Sequence, residues 1–210
     1  MSIRAIAGWM RVGAWIVAGM LLFGCGSGGA RNETDVNALL AEIEAQRQRG
    51  SRADTELLKE LSQHQEGRVS HAAMSALGHS GTTAGDEHLR GVLRSDANAE
   101  TRAQAAVALG GSAMADPQEI AVYLTAAQDP VVRAGAAKGL AKWSSPQKRE
   151  ALPKLVQALS DPDPQVRRWA IRGIHRVSVK RFVFDPDAAP ETQRERVRYI
   201  ETRLRQLDLM

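Results

Sequence analysis

The stretch VRRWAIRGIH, residues 166–175, decides how the chain is read. Val166, Ala170 and Ile174 fall at i, i+4 and i+8 and make one apolar stripe on a helix. Three earlier stretches align with it: VSHAAMSALG from Val69, TRAQAAVALG from Thr101 and VRAGAAKGLA from Val132. Their last apolar anchors, Leu77, Leu109, Leu140 and Ile174, are spaced 32, 31 and 34 residues apart. Ala73, Ala105, Ala136 and Ala170 keep the same spacings. A second column lies upstream, Leu61, Leu93, Leu124 and Leu159, spaced 32, 31 and 35. Two apolar columns per repeat imply two helices per repeat. Alternating runs rich in Val, Ile and Thr are nearly absent and aromatics make up only 4% of the chain, so the expected class is all-α.

The columns also say how the helices pack. With Val166 as position zero, positions +3, +4 and +7 are mostly Ala or Gly, which lets neighbouring helices approach closely. Gln104 and Trp169 are the exceptions. Between the two helices of each repeat stand the turn signals SDANAE, QDP and SDPDP, in which Asp supplies a capping oxygen and Pro presets φ.

The segment DPDPQVRRWAIRGI, residues 161–174, resembles the HEAT-like repeats also found in phycobilin lyases. The resemblance covers about residues 54–177 and implies an α-solenoid, a superhelix of helical hairpins. It also implies a ladder between repeats, built from a turn aspartate such as Asp161 and an arginine one residue after position zero. Arg102, Arg133 and Arg167 occupy that slot, and Ser70 replaces the arginine in the first copy, so the ladder is expected to stop there. About function this repeat type says little.

The ends of the chain read differently. Arg4 and Arg11 are the only charges in the first 30 residues, and an uncharged, mostly apolar run leads to Cys25, the only cysteine. LFGC, residues 22–25, resembles the lipobox of bacterial lipoproteins. The resemblance implies cleavage before Cys25, a covalent lipid on its thiol and attachment to a membrane of the bacterial envelope. Gly26 stands where many lipoproteins retained in the inner membrane carry Asp, so the outer membrane facing the periplasm is expected. The residues alone leave open an uncleaved anchor over 6–22 or a buried apolar helix. Cleavage leaves 186 residues and, with Arg4 and Arg11 gone, lowers the formal charge from +4 to +2, a weak case for nucleic acid. The expected organisation is a signal peptide at 1–24 and a flexible tether at 25–33, followed by a capping helix within 34–53. Four repeats at 54–177, an irregular insertion at 178–190 and a capping helix at 191–210 complete it. The last helix carries Val197, Ile200, Leu204 and Leu207 at helical spacing.

No catalytic constellation emerges. His64, His71, His79, His88 and His175 are scattered, no metal-ligand spacing is present, and GCGSGG lacks the Lys and helix of a phosphate loop. HSGTTAGDE, from His79, holds His, Ser and Asp but reads as turn chemistry. Trp143 and Trp169 fit packing better than ligand stacking. Positions +2 and +6 are expected to point away from the core and line the concave side. Position +2 reads His71, Ala103, Ala134, Arg168, and +6 reads Ser75, Val107, Lys138, Arg172, with Arg176 one turn later. The groove is thus expected to run from bland to basic, with Lys138, Arg168, Arg172 and Arg176 receiving an acidic segment of a protein partner. The charges serving only to keep the last repeat soluble remains the alternative. Solenoids offer broad surfaces with few convergent polar groups, so a scaffold without enzymatic activity is expected. With it go no cofactor beyond the lipid on Cys25, no metal and no small-molecule substrate. A structural envelope protein and a lyase-like enzyme or accessory protein are the other readings.

Overall fold

Among the described residues of the computed structural model, 28–96, 98–142 and 146–210, every regular element is a helix. The α-helices are α1 (Gly28–Arg49), α2 (Thr55–Leu61), α3 (Gly67–Ser80), α4 (Thr83–Ser95) and α5 (Ala99–Leu109). They continue with α6 (Pro117–Ala126), α7 (Pro130–Lys142), α8 (Leu152–Ala158), α9 (Pro164–Ser178) and α10 (Pro190–Gln206). Short side chains fix where many of them start. Asp54, Thr82, Asn98, Asp116 and Asp163 each accept a backbone N–H from the first turn that follows, which satisfies donors the helix cannot. Pro117, Pro130 and Pro164 stand at first helical positions, where their missing N–H costs nothing.

Residues 36–210 form one unit, an α-solenoid. Four hairpins follow one another: α2 with α3, α4 with α5, α6 with α7, and α8 with α9. The second helices, α3, α5, α7 and α9, pack directly against their successors, and the first helices form the other layer. Both leucine columns are core. Leu77, Leu109, Leu140 and Ile174 are at most 1% exposed, and Leu61, Leu93, Leu124 and Leu159 at most 7%. Ala73, Ala105, Ala136 and Ala170 are fully buried between them.

Small residues set the closeness of the second-helix layer. A Cβ placed on Gly135 would stand 2.6 Å from the Ala103 carbonyl oxygen, and one on Gly139 2.5 Å from that of Ala106. Gly78 meets the Ala108 backbone, and Gly110 meets that of Gly139, in the same way. A stack in which one layer approaches more closely than the other curves toward the close layer, which makes the second helices the inner face.

Arginines tie the turns together. Arg133 donates Nε to Asp161 Oδ2 at 2.7 Å and Nη2 to Oδ1 at 3.0 Å, bridging two repeats. Its Nη1 donates to the carbonyls of Ala127 and Gln128 in its own turn. Arg167 donates Nη1 to the carbonyls of Asp161 and Pro162, and Nε to the carbonyl of Pro186 at 2.8 Å. Arg102 donates Nη1 to the Asp96 carbonyl at 2.7 Å. The first-helix layer has its own tie, Arg90 Nε to Glu119 Oε2 at 2.8 Å.

Two details depart from the sequence reading. Helix α1 begins at Gly28, within the stretch read as a tether, since no proline stops it from growing backward. In α10, Ile200 and Leu204 are fully buried, but Leu207 is 38% exposed because the helix ends at Gln206. Leu209 packs against the core instead. Between α9 and α10 the chain runs without regular structure, its Phe182 and Phe184 turned toward the core. Helix α9 stops at Val179, a β-branched residue held at φ 58°.

Candidate functional site

A groove of about 260 Å³ lies on the second-helix layer across α5, α7 and α9. Ala103, Val107, Ala134 and Gly135 form its floor, and Lys138 and Trp169 its basic and aromatic end. Lys138 Nζ lies over the Trp169 ring, 5.4 Å from its centroid. The Arg172 guanidinium also lies over that ring, at 4.7 Å. Each contact has cation–π geometry, worth roughly 0.5–1 kcal/mol at exposed sites. The indole thus holds two long, flexible cations from adjacent repeats in place while leaving their N–H donors available. Arg176 stands exposed one turn beyond Arg172 and makes no ion pair among the described residues.

Arg168 does not face the groove as a free cation: its Nη2 donates to Asp187 Oδ2 at 2.6 Å, which ties α9 to the loop before α10. Ala103 and Val107 line the groove floor but offer little surface there, being 4% and 8% exposed, because α7 crosses α5 at glycine distance. The groove is also not bland away from its basic end, since Glu100 and Asp163 line it at the helix starts. Of the basic residues only Lys138 lines it; Arg172 approaches it over the Trp169 ring, and Arg176 stands one turn beyond.

Trp169 is the residue that sequence reasoning assigned to packing and that the structure places in the groove. Its signal was present, since Gln104 and Trp169 break the small-residue column at +3 and both line the groove. Trp143 and Cys25 lie outside the described residues. Of the ladder residues, Arg133 and Asp161 come together, Arg167 turns to Pro186, and Arg102 reaches its own turn.

Other polar clusters close on themselves. The Ser62 hydroxyl donates to the Lys59 carbonyl at 2.7 Å, so toward His88 Nε2, 2.8 Å away, its oxygen can only accept. That arrangement leaves His88 no proton to abstract from Ser62. Burial pushes the His88 pKa down, and the charge of Lys59 adds to it. Asp86 is buried, with Oδ2 accepting from Ser112 Oγ at 2.9 Å and Oδ1 without a partner among the described residues. Burial pushes its pKa up. His79 is exposed and forms no triad with it. No three His, Cys, Asp or Glu side chains among the described residues come together to hold a metal ion. No described helix is long and apolar enough to cross a membrane.

The family model described as HEAT repeats matches residues 118–191. The chain carries HEAT-type repeats within an all-α solenoid. Among solved structures, it is similar to a chain in the complex of CpcE and CpcF of phycocyanin lyase from Nostoc sp. PCC7120. The two are 21% identical with a TM-score of 0.48, over 71% of this chain and 98% of that one. No curated protein matches. The solved structure corrects one expectation. The expected absence of enzymatic activity is overturned: the similar solved chain belongs to a phycocyanin lyase complex.

Proposed function

We propose that the chain is a membrane-tethered HEAT-repeat protein of the bacterial envelope that binds a protein partner through its inner face. A lipid on Cys25, after cleavage of residues 1–24, attaches it to the outer membrane facing the periplasm. The basic end of the groove receives a carboxylate-bearing segment of the partner. The reading rests on one observation, Lys138 and Arg172 from adjacent repeats held over the same Trp169 ring. Arg176 extends that basic end by one turn. A carboxylate placed there gains charge-assisted hydrogen bonds from side chains already ordered, which lowers the entropy lost on binding.

The test uses full-length protein expressed in its native host with a C-terminal tag. Cells are crosslinked, membranes solubilised, and bound proteins and the mature N-terminus identified by mass. The control carries Lys138→Glu and Arg172→Glu; Arg168 is left alone because it is committed to Asp187. A partner captured by the parent and lost in the control supports the groove, and an N-terminal acylated Cys25 supports the tether. Equal capture by both proteins overturns the groove, and an N-terminus that retains residues 1–24 overturns the tether.

A further inference from the structure

A second cleft, of about 300 Å³, lies between residues 180–183 and α10. It shares no lining residue with the groove on α5, α7 and α9. Four cations line it, Lys180, Arg181, Arg196 and Arg203, and no acid does. All four are exposed, and none makes an ion pair among the described residues. Arg203 donates to the Gln206 side chain at 2.7 Å, which leaves its charge uncompensated. Along α10, Arg196, Tyr199, Arg203 and Leu207 fall at i, i+3, i+7 and i+11 and so share one stripe. Of the acids of α10, Glu191 sits beside Arg194 and Glu201 pairs with Arg205 at 2.6 Å, while Glu195, one turn before Tyr199, does not line the cleft.

The other wall of the cleft is extended chain. Phe182 and Phe184 turn inward against the core, so Arg181 and Val183 turn outward by the two-residue alternation of an extended backbone. Val183 is 78% exposed, and its N–H and C=O have no partner among the described residues. Phe182 is pinned from behind, its N–H donated to His175 Nε2 at 3.0 Å. A pinned extended segment with an unpaired edge is a template for strand addition. Tyr199 and Leu207, 51% and 38% exposed, add an apolar strip beside the cations.

We infer that this cleft binds an extended acidic peptide segment of a partner protein, laid alongside residues 181–184. Main-chain hydrogen bonds to Val183 hold the strand. Carboxylates on one face of the peptide meet Arg181, Arg196 and Arg203. An apolar side chain between them rests on Tyr199 and Leu207. Charge complementarity selects the peptide, because four uncompensated cations without an acid attract an acidic one, repel a basic one and give a neutral one no charge pairing.

The probe is a short fluorescein-labelled peptide of alternating glutamate and valine, titrated by anisotropy into the full-length chain in neutral detergent at low salt. Arg196→Glu with Arg203→Glu should weaken binding by about ten-fold or more, two opposed charge contacts being replaced by repulsion. Parent cleft and cleft variant are both titrated in a Lys138→Glu with Arg172→Glu background, which takes the cations of the groove on α5, α7 and α9 out of the competition for the probe, so the two sites hold or fail separately. Should the double reversal lose its helical circular dichroism, Arg196→Gln with Arg203→Gln takes its place with the same expected direction. Retained affinity in the folded cleft variant overturns the inference. So does an absence of binding, equal binding of the glutamine–valine peptide, or displacement by inorganic phosphate or phosphatidylglycerol at lower concentration than by unlabelled peptide.

Discussion

The Arg133 guanidinium and the Asp161 carboxylate meet in two hydrogen bonds, at 2.7 and 3.0 Å, across 28 residues of chain and one repeat boundary. Their side chains are only 12% and 9% exposed, so water replaces little of what either would lose. Arg133→Ala should therefore destabilise the fold by about 2–3 kcal/mol, since it strands a buried charge and two turn carbonyls. Removing both partners should cost clearly less than the sum of the single changes. Urea unfolding followed by circular dichroism checks both statements. Arg168→Ala, which breaks an exposed pair, should cost no more than about 1 kcal/mol.

Glycine in the second-helix layer is tested by contrast. Gly135→Ala would press a methyl 2.6 Å from the Ala103 carbonyl oxygen and should cost about 1–3 kcal/mol. Gly91→Ala, in the middle of α4 with nothing within 4 Å, should stabilise by about 0.5–1 kcal/mol. Opposite shifts of the thermal midpoint are expected from the same chemical change.

Val179 carries a backbone penalty of its own. A left-handed conformation costs an L-residue about 1–2 kcal/mol, which glycine does not incur. The side chain is 84% exposed and packs little, so its removal forfeits little. Val179→Gly should raise stability by roughly 0.5–1 kcal/mol after the entropy glycine adds to the unfolded chain, readable as a higher midpoint in urea.

Stability should fall as pH drops below the ordinary histidine value of 6.5. Burial holds the pKa values of His88 and His175 below it, so the unfolded chain binds protons there that the folded chain resists. His175 Nε2 lies 3.0 Å from both the N–H and the C=O of Phe182, so protonation exchanges the first contact for the second and offsets part of the effect of burial. His175→Gln, which offers an amide oxygen instead, should flatten the slope of stability against pH between about 7 and 5. Asp86 works in the opposite sense. Its raised pKa means the folded chain keeps a proton that the unfolded chain loses, so its contribution declines as pH rises above the ordinary aspartate value of 3.8. Asp86→Asn should remove that decline, measured as urea midpoints across the acid range.

The repeat period, the two leucine columns and the small-residue faces were legible because each is a local pattern repeated four times. Ala73 and its three counterparts are fully buried, as a stripe between close helices must be. The partner of Arg168 was not legible, because Asp187 lies 19 residues on, in a stretch without periodicity. The burial of Ala103 and Val107 depends on how closely Gly135 lets α7 approach, which spacing along one helix cannot convey. The contact between Ser62 and His88 spans 26 residues and joins a helix end to a helix middle, so no short motif announces it. Trp169 was visible as the large side chain in a column of small ones, but whether it faced core or groove depended on the two cations placed over it.

The last rung of the arginine ladder has a consequence for assembly. Arg133 is met by the carboxylate of the following repeat, whereas Arg167 is met by a backbone carbonyl of the loop that follows α9. A guanidinium left open at the edge of a stack would suit the turn aspartate of a second copy, and such a head-to-tail joint propagates into filaments. By satisfying Arg167 within its own chain, the fourth repeat caps that valence and denies a second copy this joint.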